Sequence, residues 1–329
     1  MNDFGLRDPY HRVINYLRIS VTDRCNLRCA YCMPENGIDL LHHSDILSYE
    51  EILRVARVAV GLGIRKIRVT GGEPLVRRGI LGFLERVSHI EGVLDLSLTT
   101  NGILLAEMAS DLKRCGLGRV NVSLDTLKPG VYERITRRPG LDRVLSGLEA
   151  ARRAGIGPIK INVVALRGVN DEEILDFAAF AQEGGYEVRF IEFMPSDTDS
   201  WEASRFLAAA EVLDTLRTRY NLEPVTQETP AGPSRTFRLP GGAKVGVISP
   251  LSDHFCGSCN RLRLTAEGKL RSCLFSEQET DVRQILRSGA GDVPLVEAIR
   301  DAVHRKPRGH SLGEADRHKC GLSMSRIGG

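Results

Sequence analysis

The chain has 329 residues, 42% hydrophobic and 26% charged, with 45 Lys and Arg against 42 Asp and Glu for a formal net charge of +3. This composition excludes a disordered chain, and the near balance of charge argues against nucleic-acid binding driven by bulk charge. No apolar run reaches the roughly 18 residues of a membrane span, and the opening MNDFGLRDPY lacks an apolar signal core. The expectation is a cytoplasmic protein of about two domains, with no membrane and no nucleic-acid partner.

In chain order, six β-rich runs are predicted at 16–22, 66–70, 95–100, 119–125, 159–166 and 187–193. Helical spacing separates them: Ile52, Val55, Ala56 and Ala59 after the first, and Leu141, Val144, Leu145 and Leu148 after the fourth. Segments 102–116 and 171–184 are bounded by glycine or a capping residue, as helices often are. Strands alternating with helices predict an α/β fold, a parallel sheet curled into a partial TIM-like (β/α)6 barrel.

Side chains alternate faces along a strand. Leu17 and Ile19 oppose Arg18 and Ser20, and Ile67 and Val69 oppose Arg68 and Thr70. Leu96 and Leu98 oppose Ser97 and Thr99, while Val120, Val122 and Leu124 oppose Asn121, Ser123 and Asp125. Ile161, Val163 and Ala165 oppose Lys160, Asn162 and Val164. The polar face is either a solvated sheet face or a lumen that holds a large polar ligand; parallel sheets are rarely open on one face, which favours the lumen. The sixth run does not decide, because Arg189 and Met194 have opposite parity.

After about residue 196 the alternation stops. Residues 201–220 read as a helix, and 223–250 are rich in Pro, Gly and Thr with β-like pieces at 235–239 and 244–248. The predicted organisation is a barrel over 1–224 and a smaller α+β region over 225–329.

The eight cysteines fit a disulfide framework poorly in a long cytosolic chain. Cys25, Cys29 and Cys32 form C-x3-C-x2-C directly after the first strand, at the end where barrel enzymes place their chemistry. Three thiolates can hold an iron–sulfur cluster with one open iron, or a zinc completed by His42 or His43. Cys256, Cys259 and Cys273 form C-x2-C-x13-C, which fits a second cluster or a zinc ribbon closed by Cys320 or His254. Between them, Arg261 and Arg263 share a face if extended, either as a solvated pair or as forks for phosphate or carboxylate.

The first cysteine motif, with Tyr31 before its last cysteine and Gly71-Gly72-Glu73-Pro74 ending the second strand, resembles the radical S-adenosylmethionine (SAM) superfamily. The further pieces are Arg18 in YLRIS, Arg68-Val-Thr before the glycines, Thr99-Thr-Asn-Gly, Asn121-Val-Ser-Leu-Asp, Lys160-Ile-Asn and Arg189-Phe-Ile-Glu-Phe-Met-Pro. With the second cysteine motif, Asn-Arg-Leu-Arg and a terminal Gly328-Gly329, they narrow the resemblance to the MoaA family, the GTP 3′,8-cyclases of molybdenum cofactor biosynthesis.

The resemblance implies a radical SAM barrel and two [4Fe-4S] clusters, on Cys25, Cys29 and Cys32 and on Cys256, Cys259 and Cys273. It implies SAM contacts from Tyr31, Gly71, Gly72, Glu73, Ser123 and Met194. GTP contacts fall on Arg18, Arg68, Thr99, Lys160, Arg189, Arg261 and Arg263, and the catalytic candidates are Arg18, Arg68, Gly328 and Gly329. The implied reaction cyclises GTP to 3′,8-cyclo-7,8-dihydro-GTP while SAM is cleaved to methionine and 5′-deoxyadenosine. A cyclic pyranopterin monophosphate synthase would act downstream, the electron donor is unspecified, and a homodimer is compatible. Cys115 reads as a packing cysteine at a helix end, and Cys320 has no assigned role.

Overall fold

The computed structural model describes residues 5–195, 203–226 and 232–310. Strands β1 (Tyr16–Ser20), β2 (Lys66–Thr70), β3 (Asp95–Thr100), β4 (Arg119–Ser123), β5 (Ile159–Ala165) and β6 (Glu187–Glu192) fall on the six predicted runs. Helices α1 (Tyr49–Gly61), α2 (Ile80–Ser88), α3 (Leu105–Arg114), α4 (Pro129–Thr136), α5 (Leu141–Arg153) and α6 (Ile174–Gly184) separate them. The remainder contains α7 (Ala209–Arg217), β7 (Glu223–Pro224), β8 (Arg235–Arg238), β9 (Lys244–Ile248), β10 (Arg261–Leu264), β11 (Lys269–Arg271), β12 (Thr280–Asp281), α8 (Arg283–Arg287) and α9 (Val293–His304).

Local chemistry starts the helices where they start. Ser48 caps α1: its hydroxyl accepts from Glu51 N (3.1 Å) while the Glu51 carboxylate accepts from Ser48 N (2.6 Å), a reciprocal box. The stripe Ile52, Val55, Ala56 and Ala59 is then fully buried. Proline in the first turn opens α4 and α9, where a missing N–H costs nothing.

The twelve strands of the described residues form one sheet, in the order β12-β11-β10-β1-β2-β3-β4-β5-β6-β9-β8-β7. Pairing is parallel from β10 through β6 to β9 and antiparallel in the outer hairpins. The late strands therefore lengthen the sheet at both edges. Tyr16 and Arg18 of β1 line the same cavity as Arg189 and Ile191 of β6, so the sheet curls around it. Leu17, Ile19, Ile67, Val69, Leu98, Val120, Val122, Ile161 and Val188 are buried in the hydrophobic core with the helices. The polar face is thus the inner face, and the solvated-sheet alternative fails.

Two expectations change. Helix α7 is shorter than the predicted 201–220, part of which lies outside the described residues. Phe206 is bridged to Leu166 and Arg205 O accepts from Arg167 N (3.0 Å), tying the chain down before a helix can begin. Glu192 then caps α7 by accepting from Ala209 N (2.9 Å). Strand β6 ends at Glu192, so the parity conflict dissolves: Met194 is placed by the loop after the strand.

Candidate active site

The loop after β1 carries Cys25, Cys29 and Cys32, and the Gly71-Gly72-Glu73 turn after β2 is packed against its start. Gly72 N donates to Thr22 O (2.6 Å) and Glu73 N to Arg24 O (2.8 Å). A Cβ at Gly71 would lie 2.7 Å from Thr22 O, and one at Gly72 would run into the Arg24 carbonyl, so only glycine permits this approach. The Glu73 carboxylate accepts from Leu75 N (3.0 Å), Thr100 Oγ1 (2.8 Å) and Asn101 N (2.7 Å), joining the turn to the loop after β3. Burial pushes Glu73 up to about 7. Arg28 holds the carbonyls of Cys25 (2.7 Å) and Leu27 (2.8 Å), and Tyr31 donates to Asp125 (2.7 Å), which burial pushes up to about 6.

These elements enclose a cavity of about 230 Å³ at the C-terminal end of the strands. The three thiols line it, with Tyr31, Gly71, Gly72, Thr99, Ser123 and Met194. Burial first, then the neighbouring Cys32, pushes the Cys29 thiol well up. Thr99 Oγ1 and Asn162 Oδ1, both on residues that line this cavity, are buried without a hydrogen-bond partner among the described residues.

A second cavity, about 150 Å³, shares Asn162, Ile191, Met194, Leu274 and Phe275 with the first. It is lined by Cys256, Cys259 and Cys273 and by Arg18, Arg68, Arg189, Arg261 and Arg263. Its geometry follows from strand register: Arg263 of β10, Arg18 of β1 and Arg68 of β2 are direct neighbours across three strands. Adjacent strands lie about 4.8 Å apart, so three guanidiniums rise from one row. All three residues are at most 9% exposed. Burial, then Arg263, pushes Arg18 well below the ordinary arginine range; burial, then Arg261, brings Arg263 down to about 10. Burial raises the Cys259 thiol, but Arg261 and Lys306 outweigh it and bring it down to about 6.

Two predicted contacts stand apart from the residues lining both cavities. Glu73 spends its carboxylate on the turn, as above. Lys160 is paired with Glu187 (3.0 Å), which also holds Arg189 (2.5 Å), and burial brings Lys160 down to about 8. Gly328, Gly329 and Cys320 lie outside the described residues. The lining residues that were not singled out from the sequence as ligand contacts include Tyr16, Asn162 and Asp125. Each has the parity of the polar face, and that was the available signal.

The donor sets fit clusters. Each cavity presents three soft thiols, as an iron–sulfur site with one open iron requires. Among the described residues, no three His, Cys, Asp or Glu side chains are grouped to hold a single metal ion. His42 and His43 are exposed, and neither lines the first cavity; His254 is absent from the lining of both.

The profile of the radical SAM superfamily matches residues 19–181, and that of the molybdenum cofactor synthesis C region matches 186–312. A GTP 3′,8-cyclase of Geobacter sulfurreducens is 50% identical over 98% of this chain and 99% of its own length. One from Moorella thermoacetica is 49% identical over 98% of this chain and all of its own. Among solved structures, Streptococcus suis SuiB bound to S-adenosylmethionine superposes with a TM-score of 0.60 over 88% of this chain and 69% of that one. At 16% identity that likeness speaks for the fold alone.

Proposed function

This chain belongs to the GTP 3′,8-cyclase family of the radical SAM superfamily, and from that premise we propose that its two joined cavities form one reaction chamber. The enzyme performs the radical SAM cyclisation of GTP that opens molybdenum cofactor biosynthesis, using SAM and an iron–sulfur cluster.

Our reading places that cluster on Cys25, Cys29 and Cys32, and SAM beside Tyr31, Gly71, Gly72, Ser123 and Met194. These residues would hold the cluster and SAM side by side, and the pair would supply the radical chemistry that abstraction of the ribose 3′ hydrogen needs. A second [4Fe-4S] cluster on Cys256, Cys259 and Cys273 would hold the guanine end of GTP. Thr99 in the first cavity and Asn162, which both cavities share, would give hydrogen bonds, and Gly328-Gly329 would enter the chamber as a slender tail. Glu73 acts through the turn that it fastens. The cyclic pyranopterin monophosphate synthase, a cytoplasmic setting, a homodimer and an external electron donor complete the proposal. No helix among the described residues is long and apolar enough to cross a membrane.

The observation that carries this reading is the row Arg263, Arg18 and Arg68. Three buried guanidiniums rising from one row concentrate positive charge at one place, and an anion with several charged oxygens complements them. A triphosphate meets that demand, and Arg189 with Lys160 extends the positive field. Anaerobic titration with GTP, GDP and guanosine tests it. Affinity is expected to fall at each loss of phosphate, by at least about tenfold from GTP to guanosine, because a charged hydrogen bond is worth roughly 1.5–3 kcal/mol. Equal affinity for all three would place the phosphates elsewhere.

A further inference from the structure

Lys306, just beyond α9, is 3% exposed, and no carboxylate among the described residues pairs with it. Its ammonium donates to Arg261 O (2.8 Å) and to Ser272 O. Arg261 stands two residues after Cys259, and Ser272 directly precedes Cys273. One side chain therefore ties together the backbone beside two of the three thiols. The third is held by the same segment: Arg12 donates to Cys256 O (2.6 Å) while gripping Pro307 O (2.6 Å) and Arg308 O (3.1 Å), and His310 N–H reaches the Cys256 sulfur. Arg12 has Asp8 as its counter-ion (2.5 Å). Among the described residues Lys306 is held by the carbonyls that flank Cys259 and Cys273.

A buried cation without a carboxylate is costly, and a thiolate-held cluster on the neighbouring cysteines would complement its charge. We propose that Lys306 is a positioning residue of the second metal site, setting the spacing of Cys259 and Cys273 and raising the reduction potential of the cluster they hold. This rests on the second-cluster reading above. The sign follows from charge: a fixed cation favours the form that has gained an electron, so neutralising it lowers the potential. Groups outside the ligand sphere commonly change metal affinity by about 10–100-fold.

The test uses the anaerobic holoenzyme as wild type, Lys306→Met and Lys306→Arg. Loss of iron to a chelator is timed, and the cluster that responds to GTP is followed by EPR through a redox titration. The SAM-responsive cluster serves as the check on folding. Lys306→Met is expected to release the GTP-responsive cluster about tenfold faster and shift its potential to more negative values, with the SAM-responsive cluster unchanged. Lys306→Arg, which keeps the charge, should retain most of the wild-type potential. Wild-type potential and iron retention in Lys306→Met would overturn the role. Equal loss of both clusters would also overturn it, as a general folding defect. A wild type that binds one cluster would overturn the second-cluster reading itself, and the role with it.

Discussion

Cys32→Ala protein is expected to form no 5′-deoxyadenosine, whereas Cys259→Ala protein should still form it and yet release no cyclised nucleotide. The two thiols line adjoining cavities with different surroundings. Cys32 stands with Tyr31, Gly71 and Gly72, where the glycines let the turn close on the cysteine loop. On the proposed assignment, removing it would take one of three ligands from the cluster that cleaves SAM, and the reaction would lose its radical source. Cys259 stands among the arginines, where burial is outweighed by Arg261 and Lys306, which bring its thiol down to about 6. On the same assignment, removing it would disturb the substrate end and leave the radical source intact. The yield of nucleotide product per 5′-deoxyadenosine should fall at least about a hundredfold, as when a positioning contact is lost. The check is mass spectrometry of both products from the anaerobic enzyme. Identical behaviour of the two variants would contradict the division of labour.

Arg18→Met should have opposite effects on the free and bound enzyme. Arg18 is the middle of the row, with Arg263 on one side and Arg68 on the other. Burial comes first among the causes that weaken its charge, and Arg263, Arg68 and Arg261 add repulsion. Methionine keeps much of the stem and removes the charge. The free protein should gain about 1 kcal/mol of stability, read as a Tm higher by roughly 1–2 °C. GTP binding should weaken by on the order of 30-fold or more, the usual cost of truncating a desolvated charge that pairs with a ligand, about 2–5 kcal/mol. Calorimetry with and without GTP measures both. A lower Tm with unchanged GTP affinity would make Arg18 a structural residue and leave the row without its proposed function.

What could be read from the sequence follows from period and distance along the chain. Alternation in β1 to β5 separated Arg18, Arg68, Thr99, Ser123 and Lys160 from the apolar face, because the pleat is local. That Arg261 and Arg263 share a face was legible for the same reason. Their place beside Tyr16 and Arg18 was not: it depends on β10 joining β1, a pairing of distant segments that four residues of alternating arginine and leucine do not announce. The hold of Thr100 and Asn101 on Glu73, and of Glu187 on Lys160, is likewise tertiary. Phe206 shows the same limit, since its bridge to Leu166 overrides a helical pattern.

The central claim is that one chamber couples SAM cleavage to GTP. Anaerobically reconstituted enzyme given SAM, a strong reductant and either GTP or no nucleotide tests it most directly, with 5′-deoxyadenosine and nucleotide product followed together. The account predicts that GTP raises 5′-deoxyadenosine formation and that a nucleotide isomeric with GTP accumulates in step with it. 5′-Deoxyadenosine formed at the same rate with and without GTP, with GTP recovered unchanged, would contradict it.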